Sequence, residues 1–312
     1  MSSDILLSLC IPTNGVIEWV IPVIESIYAE MSPVGQFEVV VTDNGNNTAF
    51  EVMMNSYVAR YGNLVYKKTQ AVQFQNQIEA FKLARGTLIK FINHRMRLLP
   101  GALNYFIKYA RENKEEKPIT YFSNGVLQSE SLIIETSTFD QYVRSLSIYS
   151  SWSAGTAMWK SDYDRMNLDI NYNRYFPHID MVFFDKNGNN YKIVNKVLLE
   201  EVPTDDTKKG KYDLFDAFSY EYVRVLEGIY KEGFITQDTF EYLKKKNKRF
   251  VAELYYKYVF RKKPCSYNLD GFYQAIDHYY SKFDIYCYIP RFIAEGLYKK
   301  ILRSVKNKYL AK

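Results

Sequence analysis

The stretch from Leu88 to Gly101, LIKFINHRMRLLPG, runs from a buried apolar strand pattern into a polar, cationic turn. In open α/β sheets ligands collect outside the carboxyl ends of the strands, so Asn93, His94, Arg95 and Met96 stand where chemistry is expected. The turn offers an imidazole and a guanidinium, with Arg97 just beyond, and no carboxylate. The acids lie elsewhere: Asp43 closes the apolar run FEVVVTDNG, and Asp180 opens a helix-like run in YFPHIDMVFF. Ionised, each is an acceptor of hydrogen bonds, and a carboxylate in reach of a hydroxyl can take its proton.

The elements that must position these groups follow in order. Ile5 to Ile11 has β character and ends in the turn residues Pro12-Thr13-Asn14-Gly15. Val16 to Met31 carries Val20, Val23, Ile24 and Ile27 at helical spacing, with Pro22 in its first turns. Phe37 to Thr42 is a second buried strand, and the order strand, helix, strand points to parallel pairing. A helix (Phe50 to Tyr61), a short strand (Leu64 to Lys67) and a helix (Gln75 to Ala84, stopped by Gly86) lead into the opening stretch. Pro100-Gly101 then starts a helix through Arg111, and the strand Ile119 to Ser123 completes a doubly wound half. From Leu127 to Leu199 short β runs (Ser131 to Thr136, Gly155 to Trp159, Tyr191 to Val194) alternate with a helix at Phe139 to Tyr149. After the turn-rich VPTDDTKKGK the pattern is helical, with Asp213 and Thr236 as candidate caps. A boundary near Thr207 divides an α/β domain, 1–206, from a helical region, 207–312.

Composition narrows the function classes. A chain of 312 residues, 47% hydrophobic, can bury a sizeable core. No apolar run reaches the roughly eighteen residues of a membrane span, and the first residues lack a signal-peptide pattern, so neither export nor membrane spanning is expected. Cys10, Cys265 and Cys287 are odd in number and widely spaced, against a disulfide framework or a CxxC metal site; a reducing cytoplasm fits. The formal charge of +6 equals the excess after Pro290, where seven cations face Glu295 alone. Basicity is thus read as a property of the tail, which argues against a nucleic-acid-binding surface. Phe292, Ile293, Leu297, Ile301, Leu302 and Val305, with Lys299, Lys300, Arg303 and Lys306 between them, form a basic amphipathic helix. Such a helix can lie on an anionic membrane or pack on its own domain. The 29 tyrosines are core and rim material, and also the flat platforms that sugars and bases use.

Three spaced signals line up: LCIPTN after the first strand, FEVVVTDNG after the second, and a helix with Asn76, Ala84 and Gly86 feeding LIKFINHRMRLLPGAL. Together they resemble the family 2 glycosyltransferases of the GT-A fold, a Rossmann-like nucleotide-sugar-binding domain, over roughly the first two-thirds of the chain, and particularly bacterial O-antigen and capsule enzymes of the abequosyltransferase type. By that resemblance Pro12, Thr13 and Asn14 shape the first nucleotide loop, Asp43 binds base or ribose, and Asn76 lies near them. Each residue also has a local reading: strand-ending turn for Pro12 to Asn14 and for Asp43, and a partly exposed helix residue for Asn76.

The departure comes at the metal motif. Where the family carries Asp-x-Asp, this chain has Asn93-His94-Arg95, or His94-Arg95-Met96 one register on. Hard cations such as Mn²⁺ or Mg²⁺ prefer oxygen ligands, and these positions supply no carboxylate. The expectation is therefore a transferase without a metal cofactor, in which His94, Arg95 and Arg97 meet the charge of the leaving diphosphate. Arg95 and Arg97 on a solvated turn of a defunct site are the competing reading. WSAGTAMW, Trp152 to Trp159, is similar to the family's small-residue segment under donor sugar and acceptor, which assigns Trp152 and Gly155 to the acceptor side; a core strand would read the same. Asp180 falls where the family carries its acidic base, with helix capping as its rival, and His178 could touch acceptor or phosphates or be structural.

The resemblance implies an inverting hexosyltransferase-like enzyme that moves a sugar, with UDP as the expected nucleotide, to a saccharide or polyprenyl-linked acceptor in bacterial surface-polysaccharide assembly. It would work in the cytoplasm, peripheral on the inner face of the cell membrane. The alternative is a silent nucleotide- or glycan-binding subunit that kept the fold and lost the motif.

Overall fold

The computed structural model describes residues 5–29, 35–166 and 171–310, with the side chains of 299–301 and 303–310 outside the described set. The chain divides into two compact units, Met1–Thr204 and Asp205–Lys312.

The first unit is built on a five-stranded sheet. β1 (Leu7–Thr13), β2 (Phe37–Asp43), β3 (Leu64–Lys68) and β4 (Leu88–Phe91) run parallel, and β8 (Ala157–Trp159) closes the edge antiparallel, in the order β3-β2-β1-β4-β8. The apolar runs of β1 and β2 are what a strand covered on both faces requires. α1 (Ile17–Tyr28) buries Val20, Val23, Ile24 and Ile27 on one side, joined there by α4 (Ala102–Asn113); α3 (Asn76–Leu83) covers the other side with Ile78, Ala80 and Phe81. The end of the helix expected to reach Met31 lies outside the described residues. α2 (Thr48–Arg60) starts two residues earlier than its hydrophobic spacing indicates, because the Asn47 side chain accepts from Ala49 and Phe50 backbone N–H groups. Gly101, at φ +84°, makes the left-handed turn into α4 that a side chain would strain.

Beyond the sheet the short elements are less regular. β5 (Met96–Leu98) pairs antiparallel with β10 (Leu199–Glu201), and β6 (Ile119–Phe122), β9 (Tyr191–Val194) and β7 (Ile133–Thr136) make a third sheet. The helix read from Phe139 to Tyr149 is interrupted: α5 (Phe139–Leu146) ends at Ser147, whose φ of 53° breaks the α-helical run before a 3₁₀ turn. α6 (Lys160–Tyr163) and α7 (Ile179–Val182) are single turns. In the second unit, the Asp213 carboxylate accepts from Phe215 and Asp216 N–H and Thr236 caps through Thr239 N–H. This unit holds α8 (Tyr222–Lys231), α9 (Gln237–Leu254), α10 (Phe272–Ile276), α11 (Lys282–Tyr286) and α12 (Ile289–Leu310). Among the described residues no helix is long and apolar enough to cross a membrane.

Glu38 and Lys90 are charged residues buried inside the α/β core. Glu38 is closed off by Ser8 Oγ at 2.6 Å and by the Arg85 guanidinium at 2.7 Å. Among the described residues Lys90 pairs with no carboxylate: its Nζ donates to the carbonyls of Phe91 (2.7 Å), Ala154 (2.5 Å) and Thr156 (3.3 Å), over the rings of Phe106 and Phe122. Burial pulls its ammonium from 10.5 down to about 7. The unfolded chain keeps that proton up to about 10.5, so in the window between the two values stability rises with pH and is lost as pH falls towards 7. Urea unfolding at pH 7, 8 and 9 should show the wild type gaining on Lys90→Met by up to about 1.4 kcal/mol per pH unit. Parallel profiles would show that Lys90 is not the group responsible.

Candidate functional site

The parallel register brings the carboxyl ends of β1, β2 and β3 together, Thr13 beside Asp43 and Asp43 beside Lys68. Asp43 is fully buried. One carboxylate oxygen accepts from Gly45 N–H at 2.7 Å; the other accepts from Tyr66 Oη and Lys68 Nζ, both at 2.9 Å. Lys68 also donates to the Gly45 carbonyl. The expected base or ribose contact thus falls on a carboxylate that already holds its own loop, while Lys68, a third exposed, faces outward from it. The strand expected over Leu64 to Lys67 runs one residue further, to Lys68, and as alternate residues Tyr66 and Lys68 lie on the same face. Their partner needed the fold.

Asn76 is buried rather than partly exposed. Its amide donates to the Thr13 and Thr42 carbonyls at 3.1 and 2.9 Å and its oxygen accepts from Thr69 Oγ1 at 2.8 Å, so it ties β1, β2 and the loop after β3 into one edge. Every polar atom of that side chain is engaged, which makes Asn76 a clamp for the loop instead of a direct ligand contact. Pro12 is half-buried and Asn14 exposed, and the Thr13 hydroxyl accepts from Gly15 N–H at 3.1 Å.

His94 Nδ1 lies 2.9 Å from the same Thr13 hydroxyl, and its ring packs on Trp19 at 5.4 Å. Burial, helped by the neighbouring Arg95 charge, pushes its pKa down to about 3. The imidazole is therefore neutral, which corrects the expectation that it supplies positive charge. Arg97, expected beside His94 and Arg95, is on β5 opposite Glu200 of β10, where it is exposed and donates through Nε to Glu200 Oε1 at 2.6 Å. Asn93 is used locally, its Oδ1 accepting Arg95 N–H at 3.0 Å.

Arg95 remains. Its guanidinium lies 5.4 Å over the Trp19 ring, and Nε and Nη1 are buried with no hydrogen-bond partner among the described residues. Trp19, one of several apolar residues on the α1 face, gave no sign in the sequence of carrying both turn side chains. Among the described residues no group of three His, Cys, Asp or Glu side chains could hold a metal ion. The donor chemistry of the turn agrees: an amide oxygen in a backbone turn, an imidazole shared with Thr13 and a guanidinium do not fit a hard divalent cation.

On the other side of the strand edge, Gly155 is needed for a different reason from the expected close approach of a ligand. A Cβ there would stand 2.0 Å from Cζ of Tyr121, whose hydroxyl donates to the carbonyls of Tyr149 and Trp152. Trp152 itself is 40% exposed. His178 is buried, bonded through Nε2 to the Ser150 carbonyl at 3.2 Å, and held neutral by burial, with a pKa near 4; its Nδ1 has no partner among the described residues. Asp180 sits in the first turn of α7 without serving as its cap. Burial raises its carboxyl to about 6, against the opposing pull of Lys186. The segment before α7 is tied to the start of α3 by Gln75 Nε2 donating to the Asn173 carbonyl at 3.3 Å.

No family model and no curated protein matches the sequence. Solved structures do. The first 349 residues of S. aureus TarS in complex with UDP-GlcNAc match at 14% identity and a TM-score of 0.55, over 88% of this chain and 80% of that one. The same protein in complex with UDP matches at 15% and 0.53, over 92% and 87%. Of the longer S. aureus TarS structure this chain covers 44%. At such identities the likeness speaks for architecture, and the architecture is a mixed α/β glycosyltransferase fold of the GT-A kind with a helical C-terminal region.

Proposed function

We propose that the protein transfers a sugar from a nucleoside-diphosphate sugar, UDP-linked, to a saccharide or lipid-linked saccharide acceptor, as an inverting enzyme of the family 2 type in bacterial surface-polysaccharide assembly. The observation that carries this is Arg95: a guanidinium on an aromatic face at the carboxyl edge of a GT-A sheet, with two buried nitrogens that have no acceptor among the described residues. A diphosphate supplies acceptor oxygens for that fork. The solved structures with UDP-GlcNAc and UDP bound belong to a protein of this fold, which supports the choice of nucleotide.

In the reaction the bond from the sugar anomeric carbon to the diphosphate oxygen breaks as the acceptor oxygen bonds that carbon from the opposite face. Asp180 takes the acceptor proton. Its raised pKa suits a base that is ionised at neutral pH yet basic enough to accept. Arg95 meets the charge left on the diphosphate, held in place by Trp19, while Thr13 fixes the neutral His94 ring beside it. Asp43 and Asn76 keep the loop edge in shape, and Lys68 is the group of that cluster placed to meet the nucleotide.

The acceptor reading extends to α12. Ile293, Leu297, Tyr298 and Leu302 are exposed although they are apolar or aromatic, on a helix whose sequence carries most of its charge as cations. This supports a peripheral seat on an anionic membrane surface.

Calorimetry with UDP should give the same affinity with EDTA as with added Mn²⁺, and Arg95→Met should weaken it by roughly 10- to 100-fold, the worth of one charge-assisted contact; a strict metal requirement or an unaffected variant would sink the charge-compensation role. Asp180→Asn should abolish transfer with UDP affinity nearly unchanged, and wild-type transfer should rise with pH through about 6 as the carboxyl ionises. Preserved turnover in that variant refutes the base. Leu297→Glu with Leu302→Glu should lower sedimentation with phosphatidylglycerol-containing vesicles, and unchanged sedimentation would remove α12 from the membrane.

A further inference from the structure

The second unit concentrates charge that its sequence disperses. The loop from Asp205 to Lys211 folds against the end of the long helix, at Tyr255–Phe260 and the residues after it. The pin is Asp206. Its carboxylate accepts from Lys263 Nζ at 2.7 Å and pairs with Lys209 at 2.9 Å and Lys257 at 3.3 Å, while Ser266 N–H and Oγ bind the Asp206 carbonyl. Three ammonium groups thus share one carboxylate. Around them Lys208, Lys211, Arg261 and Lys262 are exposed and form no ion pair among the described residues. The two segments bring seven cations to one place against Asp205 and Asp206.

Such a cluster repels itself unless something negative covers it, and the surrounding surface says what kind of partner. Phe260 stands among these cations, 49% exposed. Its ring stacks on Tyr256 at 5.6 Å, and Tyr256 lies 5.5 Å from Phe292 at the start of α12. The segment that carries the cluster is therefore packed, ring on ring, against the start of α12, the helix that exposes Ile293, Leu297 and Leu302. A polyanion without rings, such as polyphosphate, needs the cations and has no use for an exposed phenylalanine. A bilayer surface uses both, headgroups for the charges and the acyl boundary for the rings.

We propose that the Asp206-centred cluster, with Phe260 as its apolar wedge, is a docking surface for anionic lipid membranes. This rests on the peripheral-membrane reading of α12 and adds to it a second, sequence-distant contact. Two contacts on one unit fix an orientation, which a single amphipathic helix cannot do.

The test uses the full chain and vesicles of phosphatidylcholine with and without phosphatidylglycerol. Replacing Lys208, Lys211, Arg261 and Lys262 together by Gln removes exposed charges that form no ion pair among the described residues; binding to the anionic vesicles should fall at least about tenfold, given the worth of each basic residue near such a surface, with α12 intact. Phe260→Ser should weaken vesicle binding and leave binding to inorganic polyphosphate unchanged. If the Gln variant binds vesicles like the wild type while Leu297→Glu with Leu302→Glu abolishes binding, the α12 reading stands and the cluster proposal is overturned. Wild-type binding to polyphosphate with none to either vesicle overturns both, and assigns the cluster to a soluble polyanion.

Discussion

The carboxyl edge of the parallel sheet depends on how the buried amide of Asn76 is satisfied. Its two donors and one acceptor join the ends of β1 and β2 to the loop after β3, and that edge is where Thr13, Asp43 and Lys68 meet. A buried amide with all its bonds made is worth its place; one left unmade costs about 1–3 kcal/mol and loosens three elements at once. The rest of the site is hung from this edge. Thr13 reaches His94, His94 shares Trp19 with Arg95, and two buried nitrogens of the Arg95 guanidinium have no hydrogen-bond partner among the described residues.

In the turn the Arg95 guanidinium lies on the Trp19 ring beside a neutral His94, so the two side chains do not act as a pair of cations. Low dielectric explains both halves of that result. It holds His94 neutral because a charged imidazole beside Arg95 would be doubly unfavourable, and it makes the remaining guanidinium strong toward an anion. Arg97 escapes the same environment by two residues, and its exposed pairing with Glu200 is a strand contact of small energetic weight.

The second unit shows the same separation between charge in sequence and charge in space. Outside the tail the chain is formally neutral, yet folding sets the Lys208–Lys211 loop against Lys257–Lys263. Counting charge along the chain could find the basic tail and could not find this cluster, because its acids and bases are balanced only as an average over the whole molecule.

The sequence by itself determined the order of the parallel strands and the helices between them, since continuous apolar runs and 3.6-residue spacing are local properties that burial on both faces of a sheet dictates, while the short β5 and β10 and the single turn α6 left no such pattern. It marked Asp43, Asn76, the His94–Arg95 turn and Asp180 as polar residues at element ends, and it showed that the turn lacks the acids a hard cation needs. Tertiary structure decided what each of them touches. Lys68 became the partner of Asp43 through strand register, Trp19 became the support of Arg95 through the packing of α1 on the sheet, and Gly155 proved to make room for Tyr121. Those relations join residues tens of positions apart, and a hydrogen bond or ring contact over such separations is fixed by the fold, not by any local pattern a sequence can display.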